Sequence, residues 1–299
     1  MQTLQEMERK LKSADDLHTV VRTMKSLAAV NIRQYEEATR SLEEYFQSVE
    51  MGLRAALRTR ALIDRDKEPL QTLIIVFGSD QGMAGRFNES LIESLQVSMG
   101  ETAEMRGHRQ IWVAGAKAVG LMEDMFGEID RTFGLPTSVE TIPARVQELL
   151  LALAALREGQ GELRLILFHN SPAGGASYRQ TRVNLLPPDR TWLHDLGGRQ
   201  WPGRQIPYFS LPWEDLFRSL IGEYLFVALF RAFAASMAAE NAARLASMQR
   251  AEKNIEETME DLRRTFHTMR QNAISEELFD VISGFEALSG SAEGGAIDR

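Results

Sequence analysis

Apolar residues recur every three or four positions at both ends of the chain, and in short continuous runs through its middle. Near the C-terminal end, Ile255, Met259, Leu262, Phe266, Met269 and Ala273 alternate steps of four and three. That is a heptad seam with a period near 3.5, which predicts a left-handed coiled coil. The seam lies in a stretch, Trp213 to Leu288, that has no proline and only Gly222 and Gly284 as glycines. At about 1.5 Å rise per residue an unbroken helix there would measure roughly 110 Å. Most of such a rod must find a partner outside a compact core. Glu252, Lys253, Glu256, Glu257, Glu260, Asp261, Arg263 and Arg264 flank the seam as solvated faces, and Glu260 with Arg264 has the i,i+4 order that supports an exposed helix.

A second long helix is predicted over Leu4 to Leu57, where Gly52 is the only glycine. Its stripe runs Ala28, Ile32, Tyr35, Ala38, Leu42, Tyr45, Val49, Leu53, Ala56. Ser13-Ala-Asp-Asp16 is a candidate weak point or re-start, because Ser and Asp favour caps over helix interiors. All nine prolines fall between Pro69 and Pro212, so none interrupts either terminal helix. Two amphipathic helices can bury their stripes on each other. The long segment between them allows either orientation, so periodicity alone leaves the pairing direction open.

Between the rods the period changes. Leu70–Phe77, Gln110–Ala114 and Leu163–His169 read as buried strands. Helices are predicted at Asn88–Met99, Ala116–Met125 and Pro143–Arg157. Strand and helix alternating at this spacing indicate an α/β layer with a mostly parallel sheet. Tyr178–Leu186 reads as an antiparallel strand, and Pro187–Pro212 as irregular.

Composition and charge narrow the function. The chain of 299 residues carries a formal net charge of -8, which argues against nucleic acid or any broad phosphate surface as partner. There is no cysteine, so thiol catalysis and cysteine metal sites are excluded. The apolar run Leu220–Met237 contains Glu223 and Arg231, and reads as a helix buried against protein rather than a membrane span. The turn from Phe77 to Asn88 is Gly-rich and lies between a strand and a helix, where phosphate can be cradled. Its spacing fits neither G-x-G-x-x-G nor G-x-x-x-x-G-K-[ST], and Arg86 is its lone basic residue. Gly78, Asp80, Gly82 and Gly85 are therefore read as the frame of a structural turn. His18, His108, His169, His194 and His267 form no metal-ligand spacing, and no nucleophile elbow surrounds Ser171 or Ser177. No cofactor, metal or catalytic residue is expected.

Three motifs carry a resemblance. Ser236-Met-Ala-Ala-Glu-Asn-Ala-Ala-Arg-Leu-Ala-Ser-Met248, Asn254, Arg270-Gln-Asn-Ala-Ile-Ser-Glu-Glu-Leu278 and Val281-Ile-Ser-Gly284 resemble the C-terminal signature of the gamma subunit of F-type ATP synthase. Ser79-Asp-Gln-Gly-Met-Ala-Gly-Arg-Phe-Asn88 is similar to that family's S-D-R-G-L-C-G-x-x-N, and Thr23-Met-Lys-Ser-Leu-Ala-Ala29 to its A-M-x-M-V-A-A. The resemblance implies a fold of two parts: a long antiparallel coiled coil of the terminal helices, and a central Rossmann-like α/β domain. The N-terminal helix is expected at 1–60, the central domain at 68–206 and the C-terminal helix at 207–288, while the small, polar residues 289–299, which run past the family's usual end, are read as a disordered tail.

The same resemblance implies a central rotor shaft that hydrolyses nothing itself. Its implied partners are three alpha and three beta subunits around the coil, with an epsilon-like subunit and the membrane c-ring at the α/β domain. The implied location is the cytoplasmic face of a bacterial inner membrane. Met24, Lys25, Arg270 and Gln271 stand where the family meets the beta subunits. Departures are Val30-Asn31 in place of Ser-Lys, Gln81 and Ala84 in place of Arg and Cys, and Ser210-Leu211 in place of Tyr-Glu before Pro212. They point to a divergent branch, for which the alternate sodium-type complexes are one candidate. The competing readings are a free-standing coiled-coil scaffold with a ligand-sensing α/β domain, and an enzyme of that domain.

Overall fold

The computed structural model describes residues 3–60, 71–101, 109–157, 163–175, 177–201, 203–205 and 208–293. The expected boundaries at 68 and 206, His108, and residues 294–299 of the expected tail lie outside these. By its contacts the chain divides into two units, one of Met1–Lys25 with Met248–Arg299 and one of Ser26–Ser247.

The larger unit holds the sheet. Strands β1 (Gln71–Phe77), β2 (Arg109–Ala114), β3 (Arg131–Phe133), β4 (Leu163–Gly174) and β5 (Ser177–Leu186) lie in the order β3-β2-β1-β4-β5. The first four are parallel and β5 returns antiparallel to β4. Every residue of β1 is buried, as expected of a central strand covered on both faces. Alternate residues serve two cores. Ile74, Val76, Ile111, Val113, Ile166 and Phe168 pack under α3 (Phe87–Glu101) and α4 (Ala116–Phe126). Leu73, Ile75, Phe77, Leu165 and Leu167 face the other way. That second face is covered by α5 (Ile142–Arg157), α6 (Arg190–Gly198) and the flanking long helices.

The long helices are α1 (Leu4–Ser41), α2 (Glu43–Thr59) and α7 (Trp213–Glu293, 81 residues). α1 runs straight through Ser13-Ala-Asp-Asp16 and the interruption falls instead at Leu42. The expected stripe continues in register past that point, with Phe46 in place of Tyr45. Tyr45 is exposed and Phe46 faces inward, while Val49, Leu53 and Ala56 are buried. Leu42, Phe46, Val49, Leu53 and Ala56 step by four and three, so one face continues across the break, where Leu42 keeps backbone angles in the helical region.

In the larger unit α2 and α7 run antiparallel. Tyr45 Oη donates to Glu223 Oε2 at 2.6 Å, Arg231 pairs with Glu43, Arg60 pairs with Glu214, and Trp213 Nε1 donates to the Ala56 carbonyl at 2.9 Å. Leu225, Val227, Leu229, Phe230 and Phe233 are all buried in the core. The apolar run Leu220–Met237 thus spends its hydrophobicity on protein, although α7 is, among the described residues, the one helix long and apolar enough to cross a membrane.

Three sequence expectations differ from the fold. β3 is an additional short strand. Pro187–Pro212 contains α6, started by Asp189, whose carboxylate accepts from the Thr191 amide at 2.8 Å. α7 stays helical from Ser289 to Glu293, where the tail was expected to be disordered.

Candidate functional site

The turn after β1 sits where the chain order in the sheet reverses: β2 and β3 lie to one side of β1, β4 and β5 to the other. In open α/β sheets this crevice, at the carboxyl ends of the strands, is the usual ligand position. Here the protein fills it with its own groups. The Ser79 amide donates to Asn88 Oδ1 at 3.0 Å and Asn88 Nδ2 donates to Ser79 Oγ at 2.8 Å. The Ser79 carbonyl accepts from the Lys117 amide at 3.0 Å, and Asp80 Oδ1 accepts from the Ala116 amide at 2.9 Å. The amides at the start of α4, which would otherwise suit an anion, are therefore taken. Arg86 points to Glu93 at 2.6 Å.

The four framing residues divide. A Cβ on Gly78 would meet that of Ala118 at 2.2 Å, so no side chain fits. Gly85 has φ +62°, which glycine adopts without strain. Asp80 caps α4. Gly82 has open space around it and no left-handed backbone, so nothing in the turn requires glycine there.

α7 occupies the rest of the crevice. Phe77 and Phe233 stack at 3.8 Å, Ser236 Oγ donates to the Phe77 carbonyl at 3.3 Å, and Ala84 and Phe87 pack on Ala239 and Ala243. Glu240 is buried beside this contact and pairs with Arg244. Burial raises its carboxyl above the ordinary value, against the opposing pull of Arg244. Asn31 Nδ2 donates to Asn241 Oδ1 at 3.3 Å, which ties α1 to the same segment of α7. The sequence marks Ser236–Met248 as a motif but not as a docking surface. The one local signal of that docking is the i,i+4 spacing of Glu240 and Arg244.

In the smaller unit α1 and α7 are clipped by charge. Lys25 Nζ pairs with Glu252, and His18 Nε2 lies 3.4 Å from Glu256 Oε1. Going from Lys25 back to His18 corresponds to going from Glu252 forward to Glu256, so the helices are antiparallel. The hydrogen bond from Lys25 holds the Glu252 carboxyl below its ordinary value. His18, Glu252 and Glu256 each bring one ligand atom within 4.8 Å of the others. Glu252 is already engaged by Lys25.

The seam residues behave as one face. Met259 is buried, Ile255, Leu262, Phe266 and Met269 are half-buried, and the residues between them are exposed. On α1, Met7 and Val21 are buried and Met24 and Lys25 half-buried. Arg270 and Gln271 are exposed on α7, as are Ser210 and Leu211 in the segment before it. Nothing brings Met24 and Arg270 together into one pocket. They are separate points on long helices.

An α/β domain whose ligand crevice is filled by α7 grips a helix rather than a small molecule. A family model described as ATP synthase matches residues 3–288. The ATP synthase gamma chain of Syntrophus aciditrophicus is 26% identical, covering 97% of this chain and 99% of its own. That of a Synechococcus strain is 27% identical, covering 96% and 100%. A chain in the Euglena gracilis mitochondrial ATP synthase structure described as OSCP/F1/c-ring, rotational state 3, has a TM-score of 0.66 at 18% identity, covering 99% of this chain and 98% of that one. A chain of the same enzyme's rotor has a TM-score of 0.61 at 19% identity, covering 91% and 98%. This chain belongs to the ATP synthase gamma family, the central rotor subunit of the F-type enzyme.

Proposed function

We propose that this chain carries torque through α7. In the assembled enzyme the paired helices stand inside a ring of three alpha and three beta subunits. The α/β domain sits at the membrane c-ring beside an epsilon-like subunit, on the cytoplasmic face of a bacterial inner membrane. ATP is made or hydrolysed on the beta subunits, and this chain forces their cycle by turning.

The observation that carries this reading is the overrun of α7. With His18 opposite Glu256 and the helices antiparallel, the start of α1 at Leu4 falls opposite about residue 270 of α7, since helices of equal rise advance together. Beyond that point Ile274, Leu278, Phe279, Val281 and Ile282 are exposed. Five large apolar side chains within one short stretch mark a surface that meets another protein. Arg270 and Gln271 stand at its edge, and the guanidinium presents five donors in a fixed fork suited to carboxylates.

The test is the double variant Arg270→Ala/Gln271→Ala in the assembled complex. Assembly, followed by native mass spectrometry as one copy per three alpha and three beta subunits, is expected to stand. The ATPase rate is expected to fall by about tenfold, the weight of one charge-assisted contact. Wild-type activity in a complex of verified composition would refute the coupling role. A chain that self-associates without alpha and beta subunits would restore the free-standing scaffold.

A further inference from the structure

The histidines show no metal-ligand spacing along the chain, but spacing compares only neighbours in sequence. Folding brings three donors together that it could not show. Glu252 and Glu256 stand four residues apart on α7, so both carboxylates leave one face of the helix. His18 reaches that face from the antiparallel α1, 238 positions away from Glu256. All three belong to the smaller unit.

The distances suit a small transition ion. Imidazole nitrogen and carboxylate oxygen bind Zn²⁺ at about 2.0–2.2 Å, which sets two corners of its tetrahedron about 3.3–3.5 Å apart. His18 Nε2 and Glu256 Oε1 are 3.4 Å apart. A charge-assisted hydrogen bond would draw them to about 2.7–2.9 Å, so they stand at the spacing of two ligands rather than of a tight ion pair. Glu252 brings an oxygen within 4.8 Å of both. Its side chain is 17% exposed and held by Lys25. That of Glu256 is 61% exposed, so the adjustment that closes the triangle falls to Glu256 and disturbs no packing.

Lys25 does not close the site. Its Nζ donates to Glu252 Oε2, and an ionised carboxylate has about four acceptor positions. Carboxylates on a metal are ordinarily hydrogen-bonded by an outer group that fixes their orientation, and Lys25 fills that place. The same bond keeps Glu252 in its charged form, the form that ligates. The charges of Lys25 and of Arg22 near Glu252 oppose a second cation, which makes the site weaker than a closed structural zinc centre.

We propose that His18, Glu252 and Glu256 form a divalent transition-metal site that takes Zn²⁺ with three protein ligands and a water, and ties α1 to α7. The imidazole selects against Mg²⁺ and Ca²⁺, which take oxygen ligands.

The experiment uses the purified full chain, Co²⁺ as a coloured stand-in for Zn²⁺, and Mg²⁺ as the oxygen-seeking control. The wild type is expected to bind one Co²⁺ per chain with a Kd below about 100 µM, to show the visible absorption of a four- or five-coordinate ion, and to release it to Zn²⁺ but not to millimolar Mg²⁺. His18→Ala and Glu256→Gln, at partly and fully exposed positions, should each weaken binding by at least about tenfold with an unchanged circular dichroism spectrum. His194→Ala and His267→Ala, at other exposed histidines, should leave it unchanged. Zn²⁺ should raise the thermal midpoint of the wild type and not that of His18→Ala. Weaker binding by the wild type, the absorption of the hydrated ion, displacement by Mg²⁺, undiminished binding in His18→Ala or Glu256→Gln, or an equal loss in His194→Ala or His267→Ala would each overturn the proposal. A thermal shift shared by His18→Ala would overturn it as well, since Zn²⁺ would then act elsewhere on the chain.

Discussion

Phe233→Ala is the sharpest probe of the joint between α7 and the α/β domain. Phe233 and Phe77 are both 0% exposed and their rings stack at 3.8 Å with planes 10° apart. Truncating a buried phenylalanine costs about 3–5 kcal/mol, the larger values where the site cannot collapse. Collapse is hindered here, because β1 is fixed by parallel partners on both sides and Ser236, less than one turn along, is bonded to the Phe77 carbonyl. The expected loss is therefore about 4 kcal/mol. Phe233→Leu keeps most of the volume and should lose about 1–1.5 kcal/mol, mainly the ring–ring term. A double-mutant cycle with Phe77→Leu should return a coupling of about 0.5–1.5 kcal/mol.

The assay is urea unfolding followed by tryptophan fluorescence. Trp112, Trp192, Trp201 and Trp213 all lie in the larger unit, so the signal reports the unit that contains the joint. A loss under about 1 kcal/mol for Phe233→Ala, well below any cavity-forming truncation, would refute the claim that this stack anchors α7. In an assembled enzyme the same variant should lower ion transport more than ATP hydrolysis, because a loosened joint lets the helix turn without the domain.

The seam sorts by burial. Met259→Asp, at a buried position, should cost about 3 kcal/mol or more through an unpaired desolvated charge, and Leu262→Asp or Met269→Asp, half-buried, about 1–2 kcal/mol; equal thermal shifts in all three would show that Met259 does not face α1. Met24→Lys places a second cation beside Lys25, which already holds Glu252. If Met24 slides past acidic groups where the resemblance places the beta subunits, the variant should fold and assemble, lower the ratio of ion pumping to hydrolysis, and recover with added salt; an unchanged ratio sinks that idea, and poor assembly assigns Met24 to the seam with Val21. His169 has a folded pKa lowered by burial from the ordinary 6.5. Its contribution to stability is complete above that value and is lost as pH falls below it towards the folded pKa, because the unfolded chain takes up the proton first. Between about pH 8 and pH 5 the wild type should thus lose stability relative to His169→Gln; a difference that does not change with pH would refute it.

Periodicity determined a good deal by itself. The heptad steps through Ile255, Met259, Leu262, Phe266 and Met269 are local arithmetic on one helix, and the burial along α7 tracks them residue by residue. The β-branched run of β1 and the strand–helix alternation after it defined an α/β layer, because a strand buried on both faces has no room for polar alternation. Gly85 was legible as a turn residue, since its left-handed backbone is a local demand, whereas the need for glycine at Gly78 comes from Ala118, forty positions along the chain.

What remained for the tertiary structure is whatever depends on two distant segments meeting. The pairing direction of the terminal helices rests on Lys25 with Glu252 and His18 with Glu256, contacts between residues more than two hundred positions apart that no local pattern encodes. Tyr45 and Phe46 stand three and four residues after Leu42, so either fits the stripe, and only the packed structure shows Phe46 facing inward while the Tyr45 hydroxyl bonds Glu223 at the surface. Gly82 reads in sequence like its neighbours in the turn, and only the open space around it shows that it is free to carry a side chain. The crevice above β1 could have held a ligand on sequence grounds. It is closed by Phe233, Ser236 and Ala239, small and aromatic residues whose spacing on α7 acquires meaning only once the sheet is placed against it.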